Sequence, residues 1–401
     1  MLEGNNRLHV IDGLRGFSLL GILLANMLIF QYGIWGKDEL QFFALSPADT
    51  VVHKLVKIFV EGSFMPIFTF LFGFGMIKMK ESMEAKELKA GRHLVRRFLM
   101  LLGFGILHST FLWEGDILAF YGMMGFFLLI FMNRKAKTLL IWGTILLSLF
   151  GLLGLAPEAP DDPAAKQDKA RMEQYVKDTN HIYGTGTYEQ IKHHRQTSDP
   201  FGMNGFMIFF MLLLAPLLTG PMFLFGMYAA KKRWFADPAG ERSAYLRGML
   251  IFLPAGLLLK SLKPLFPQFG WAGIGEMLGG SILALGYIFG FALLCSAAKK
   301  SPWLRRFEAV GKLSMTNYLM QSAICTSIFY GYGLGLFGKL GVAVGCGLAV
   351  AIYLMQLFAS AWYVKRFSFG PMERLLRMWT YFSFAGKPKP RIQQPTVSSQ
   401  I

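Results

Sequence analysis

Arg96-Arg97-Phe98-Leu99-Met100-Leu101-Leu102-Gly103-Phe104-Gly105-Ile106-Leu107-His108-Ser109-Thr110-Phe111-Leu112-Trp113-Glu114-Gly115-Asp116-Ile117-Leu118-Ala119-Phe120-Tyr121 opens on two arginines, runs apolar, turns, and runs apolar again. A helix needs roughly 20 apolar residues to cross the hydrocarbon core of a bilayer. The stretch therefore reads as two short membrane-crossing helices, 97–113 and 116–132, joined by the tight turn Trp113-Glu114-Gly115-Asp116. The same pattern recurs on both sides, with further spans expected at 14–34, 56–77, 138–155, 204–230, 243–263, 270–298, 311–331 and 336–364. The fold class that follows is an all-α, polytopic transmembrane helical bundle of about ten spans.

Composition agrees. Of 401 residues, 54% are hydrophobic and only 16% charged, with 38 Phe, so a water-soluble assembly of two or three domains is excluded. The net charge of +17 does not point to nucleic acid, because Lys and Arg sit in short segments between apolar runs and not in a basic domain. Lys78-Met79-Lys80, Arg96-Arg97, Arg134-Lys135, Lys231-Lys232-Arg233, Lys299-Lys300, Arg305-Arg306 and Lys365-Arg366 all fall on one side of the span pattern. Asp38, Glu39, Glu114, Asp116, Asp161 and Asp162 fall on the other. By the positive-inside rule both termini are cytoplasmic, and the expected location is the cell (plasma) membrane as a multi-pass protein. Met1–Val10 is polar and precedes an overlong apolar run, so no cleavable leader is expected.

Residues 1–385 form one helical domain, with 156–202 as an extracytoplasmic loop, helical around 164–178, and 386–401 as a disordered cytoplasmic tail rich in Lys, Pro and Ser. The loop is either a lid over an outer cavity or a solvated connection. The basic and aromatic run Met372–Phe382 suits an interfacial helix on the inner leaflet. Cys295, Cys325 and Cys346 lie in apolar runs without a CxxC spacing, and His193-His194 stand too far from other ligands, so no metal site is expected.

Ionisable groups inside spans are costly and mark candidate sites. Asp12 and Arg15 are three apart on one helix face and can pair, and Asp12 can also cap the first span. Asn26 lies near mid-membrane on the same span. Glu61 and Ser63 open the second span, where Pro66 predicts a kink and Gly73 and Gly75 predict close packing. His108 is the one histidine well inside an apolar span, and the turn brings Glu114 and Asp116 to its depth. One imidazole with two carboxylates is the composition of a general base with its orienting groups. Glu276 falls in a GxxxG-like face, and Asn317 and Gln321 are four apart on one face, able to bond a ligand or another helix.

Ile11-Asp12-Gly13-Leu14-Arg15-Gly16 through Asn26, Leu71-Phe72-Gly73-Phe74-Gly75, Ile106–Leu118, Leu313–Ser322 and Gly370-Pro371-Met372-Glu373 with Thr380-Tyr381 resemble the YeiB proteins along almost the whole chain. That family is grouped with transmembrane acyltransferases such as heparan-alpha-glucosaminide N-acetyltransferase. The resemblance implies transfer of an acyl group from cytosolic acyl-CoA, with acetyl-CoA the expected donor, to an acceptor in or across the membrane. The broader acyltransferase-3 proteins open similarly but carry a His near the end of span 1, where this chain has Asn26.

On that basis His108 is the expected base or covalent acyl carrier, with Glu114 and Asp116 orienting it. Arg15, Arg96 and Arg97 are expected to meet the acyl-CoA phosphates, and Asn26, Asn317 or Gln321 to donate to the oxyanion. Asp12 and Tyr121 complete the expected binding set. The alternative is a transporter of a small or lipidic substrate using the same buried charges. The expected partners are the lipid bilayer, acyl-CoA and an acceptor, with no nucleic acid, and a homo-oligomer is left open.

Overall fold

A computed structural model of the chain describes residues 9–155, 163–266, 268–298 and 301–388. Among them every long element is an α-helix: α1 (His9–Tyr32), α2 (Pro47–Phe59), α3 (Phe64–Glu84), α4 (Ala90–Phe111), α5 (Leu118–Leu129), α6 (Ala136–Leu153), α7 (Pro163–Thr185), α8 (Tyr188–Thr197), α9 (Gly205–Lys231), α10 (Arg242–Leu265), α11 (Gly273–Ala297), α12 (Pro302–Lys312), α13 (Ser314–Phe329), α14 (Val342–Tyr363) and α15 (Pro371–Tyr381). The chain is an all-α polytopic bundle. Each of the ten expected spans corresponds to helix, but eight helical segments are long and apolar enough to cross a membrane. The other two, α5 and α13, have 12 and 16 residues. At 1.5 Å per residue α5 covers about 18 Å, well short of the ~30 Å core.

α1 is the central helix, packing on α3, α12, α13 and α14. Small residues set how closely the neighbours approach. A Cβ on Gly16 would stand 2.0 Å from Phe307 O, and one on Gly311 would stand 1.8 Å from Asp12 O. α1 and α12 therefore touch backbone to backbone, as α3 and α9 do at Gly73 and Gly226. α10 and α11 pair through Gly256 and Gly275 in the same way, which gives the expected GxxxG-like face of α11 its packing role, while Glu276 on α11 is exposed.

Two local expectations are corrected, and two segments gain structure. The second span is not one helix kinked at Pro66: it breaks at 60–63, where Gly62 has φ +71°, and Pro66 sits in the first turn of α3, where its missing N–H costs nothing. Asp12 is not a cap, because α1 already begins at His9. The segment before α13 is itself a helix, α12, with Pro302 in its first turn. The segment expected to be an extracytoplasmic loop holds two helices, α7 and α8, the second opened by a capping box between Thr187 and Gln190. They are docked rather than solvated: Val176, Tyr183 and Ile191 are buried. Residues 156–162, Lys299-Lys300 and 389–401 of the tail lie outside the described residues. The inner amphipathic helix expected at 372–382 is α15.

Candidate functional site

The hairpin is built from the end of α4 outward. The Leu112 and Trp113 amides both donate to His108 O, at 2.9 Å each, which closes the helix. Asp116 then precedes α5, and its Oδ2 accepts the Ala119 N–H at 2.7 Å, a side-chain cap of the kind Asp supplies at helix starts. The other oxygen, Oδ1, lies 2.8 Å from His108 Nδ1, and both side chains are only 2% exposed. Gly105 makes this possible, because a Cβ there would sit 2.0 Å from Ala119 N and 2.5 Å from Asp116 Oδ2. With Asp116 ionised, the proton shared with it belongs on Nδ1, which leaves Nε2 with a free lone pair. Nε2 is buried and has no hydrogen-bond partner. An imidazole so held can accept a proton or attack a carbonyl.

The two acids divide. Asp116 orients His108, but Glu114 turns outward to α7 and α8, where it accepts from the Tyr183 hydroxyl at 3.1 Å and lies 3.7 Å from Arg195. Burial pushes its carboxyl above the usual carboxylate range, against the pull of Arg195. Arg195 also donates to Leu112 O and Thr110 O, at 3.0 and 2.7 Å, fastening α8 to the exit of α4. The expectation that both acids serve His108 is thus corrected to one.

Sequence reasoning missed Tyr318, although it lies in a quoted motif. Its ring is 5.4 Å from that of His108. Its hydroxyl donates to Gly115 O at 3.2 Å and accepts from Ile117 N at 3.1 Å, pinning α13 to the hairpin turn. Asn317 and Gln321, on another face of α13, are engaged with α14: Asn317 Nδ2 bonds Ser360 Oγ at 3.0 Å, and Gln321 Nε2 bonds Gln356 Oε1 at 2.8 Å. They act between helices, and the polar partners on α14 were the unread signal. Glu373 was missed as well. It accepts from the Met315 and Thr316 amides at 2.8 and 3.0 Å and so caps α13.

Below the hairpin, on the basic side, lies a cavity of about 300 Å³. Tyr121, Tyr318 and Ile117 line it toward His108, while Arg15, Arg97 and Lys312 line it toward the inner surface. Phe68, Phe72 and Leu101 make its walls apolar between those ends. Gly75 lines it too, and a Cβ there would meet nothing within 4 Å, so this glycine leaves room and does not pack a helix. A second hollow of about 240 Å³, lined by Lys86, Arg377 and Tyr381, shares Arg97 with the first. Arg15 is tied to Asp12 at 3.1 Å. Arg96 faces elsewhere, with its guanidinium 4.0 Å over the Phe382 ring. Asn26 is half-buried on α1 and does not line the cavity. Tyr121 lines it with a buried hydroxyl that has no partner. Among the described residues no group of three or more His, Cys, Asp or Glu is placed to hold a metal ion.

A long apolar bundle with a buried His–Asp pair close to a cavity that opens on the basic side defines a polytopic membrane protein with a buried polar site. Comparison with known proteins places it more closely. Residues 229–383 match the family described as protein of unknown function DUF418. The chain is 34% identical over 389 residues to the uncharacterized protein YxaH of Bacillus subtilis, covering 95% of this chain and 96% of the relative. It is 27% identical over 396 residues to an uncharacterized 39.9 kDa protein of Bacillus acidopullulyticus, covering 94% of each. It is 26% identical over 391 residues to the uncharacterized protein YeiB of Escherichia coli, covering 92% and 95%. The chain belongs to this YeiB-like, DUF418 family. No solved structure matches it.

Proposed function

We propose that the protein is a membrane-bound acyltransferase of the plasma membrane. In this reading a cytosolic acyl-CoA, acetyl-CoA first, enters from the inner face, and His108 acts on the acyl transfer to an acceptor from the outer side. The observation that carries the reading is the inward cavity. It joins a mouth lined by Arg97, Arg15 and Lys312, with Glu373 beside them, to an apolar bore that reaches Tyr318, whose ring lies 5.4 Å from that of the buried His108. A thioester on a phosphate-bearing arm has this same order of chemistry: anionic at one end, slender along its length, electrophilic at the tip. Arg and Lys neutralise phosphates, and the Arg97, Lys86 and Arg377 hollow extends the basic surface beyond the mouth.

In the transfer, Asp116 holds the His108 tautomer, and Nε2 takes the acceptor proton or carries the acyl group. Tyr318 lines the cavity and packs beside the imidazole, so the tip of the donor would arrive next to His108. The test is calorimetric titration of the purified protein with acetyl-CoA and longer acyl-CoAs. Binding is expected, weakened at least tenfold by Arg97→Glu and little by Arg96→Glu. A stable, monodisperse protein that binds no acyl-CoA would refute the proposal.

A further inference from the structure

On the far side of the hairpin from the basic segments several buried polar atoms make no hydrogen bond to the protein. Besides His108 Nε2 they are Trp113 Nε1, Glu114 Oε2, Arg195 Nε and the Tyr330 hydroxyl. They form one neighbourhood. Arg195 lies against Leu112, which precedes Trp113, and sits 3.7 Å from Glu114. Tyr183 bonds Glu114, and its ring packs on Tyr330 at 4.8 Å. The Trp113 ring is 6.3 Å from that of His108. A buried polar atom left unsatisfied costs about 1–3 kcal/mol, and folded proteins leave few of them. So many at the hairpin turn next to His108 mark the place of a polar occupant.

The inventory selects its chemistry. Trp113, Arg195 and Tyr330 offer donors, while Glu114 Oε2 and His108 Nε2 offer acceptors. An anion would serve the donors and meet Glu114. A cation would serve the acceptors and leave the three donors bare. Glu114 and Arg195 already offset each other's charge. A hydroxyl both donates and accepts, so a compound carrying several satisfies both sets, and the Trp113, Tyr183 and Tyr330 rings supply flat walls for its C–H faces.

We infer that this outer cluster binds a small uncharged hydroxyl compound, a polyol or a sugar, and presents one hydroxyl to His108 Nε2 for O-acylation. The inference rests on the acyl-transfer reading for its chemistry. In the step, the hydroxyl proton passes to Nε2 and the oxygen bonds the acyl carbon. The C–S bond then breaks, and the departing thiolate takes the proton back from the imidazolium. The products are an ester, free CoA thiol and neutral His108.

Two variants remove the donors and keep an aromatic ring in place, Tyr330→Phe being the one that conserves the ring's volume. Trp113→Phe keeps the stack on Phe30, whose ring is 4.2 Å away, and Tyr330→Phe keeps the ring against Tyr183. The full chain in nanodiscs is titrated with glucose and myo-inositol as uncharged probes, glucosamine as a cationic one and gluconate as an anionic one. Acetyl-CoA is titrated separately. At least one uncharged probe is expected to bind at least tenfold more tightly than either charged probe. Each variant should weaken that binding about tenfold, with acetyl-CoA affinity unchanged. With acetyl-CoA present, mass spectrometry should find the probe's ester. Tighter binding of a charged probe, or full-strength binding in both variants, overturns the inference. Acetyl-CoA binding with no uncharged probe bound overturns it too, leaving water in the cluster and the acyl-transfer reading intact. Probe binding without any acyl-CoA binding upholds the site and removes the O-acylation beneath it.

Discussion

Gly105→Ala tests the hairpin on which the site depends. A methyl at this position would stand 2.0 Å from Ala119 N, 2.5 Å from Ala119 Cα and 2.5 Å from Asp116 Oδ2. Carbon contacts settle near 3.5 Å, so α4 and α5 must separate by roughly 1 Å or more. Overpacking of this kind costs about 1–3 kcal/mol. Separation would also stretch the Ala119 N–H bond to Asp116, and hydrogen bonds to charged groups contribute about 1.5–3 kcal/mol. Together they make a loss of about 2.5–6 kcal/mol. Gly103→Ala is the matched control, two residues earlier on the same helix with nothing within 4 Å of its Cβ. There the exchange should be neutral or add about 0.5–1 kcal/mol by removing a helical glycine. Thermal melts of both variants in one detergent should show a clear fall for Gly105→Ala and none for Gly103→Ala. Equal melting temperatures would refute the close crossing and, with it, the geometry drawn for His108 and Asp116.

Three further outcomes follow from other contacts. Asp116→Asn keeps an acceptor for Ala119 but offers His108 a donor, which moves the imidazole proton to Nε2; acyl-transfer turnover should fall about 10²–10⁴-fold while acyl-CoA affinity holds, and turnover within twofold of the parent would sink the role of the pair. Gly75→Leu should lower acyl-CoA affinity at least tenfold with little change in melting temperature, since the position lines the cavity and a Cβ there meets nothing within 4 Å; calorimetry reads the first and a melt the second. The third concerns His194, whose ring nitrogens meet Thr179 Oγ1 at 2.8 Å and Ser198 Oγ at 2.9 Å. Burial, helped by His193 and opposed by Asp178, holds its imidazole below the ordinary value. The folded state therefore binds this proton less readily than the unfolded state. The stability it gives α7 and α8 is whole above about pH 6.5 and is lost as pH falls. Limited proteolysis within 163–197 should quicken from pH 7.5 to pH 5.5 in the parent and much less in His194→Gln; identical rates at both pH values would count against the docked arrangement.

Much of the site's composition was legible, because bilayer physics makes polar residues conspicuous. His108 and Asp116 stood out as ionisable groups beside long apolar runs, and the turn between them fixed their common depth. Glu114 stood out equally, yet its direction depends on Arg195 and Tyr183, which lie 81 and 69 residues further along the chain. Spacing carries no information about contacts at that range. The same holds for Asn317 and Tyr318: adjacent in sequence, they face α14 and the hairpin respectively because consecutive helical residues point about 100° apart.

The sequence by itself determined that the chain is helical and membrane-crossing, since a hydrocarbon core allows no unpaired backbone, and the excess of basic residues in alternate connections set the expected orientation. Where each span begins and breaks was decided only in part. Gly62 ended one helix where Pro66 seemed the better breaker, and α5 and α13 stop short of a full crossing. Only the tertiary structure decided that Arg97 and not Arg96 faces the cavity, that Gly75 opens space while Gly73 closes it, and that α7 and α8 dock over the outer end of α4. Each of these turns on which face of one helix meets a distant partner, and that is settled by packing between helices, not by any property of the helix alone.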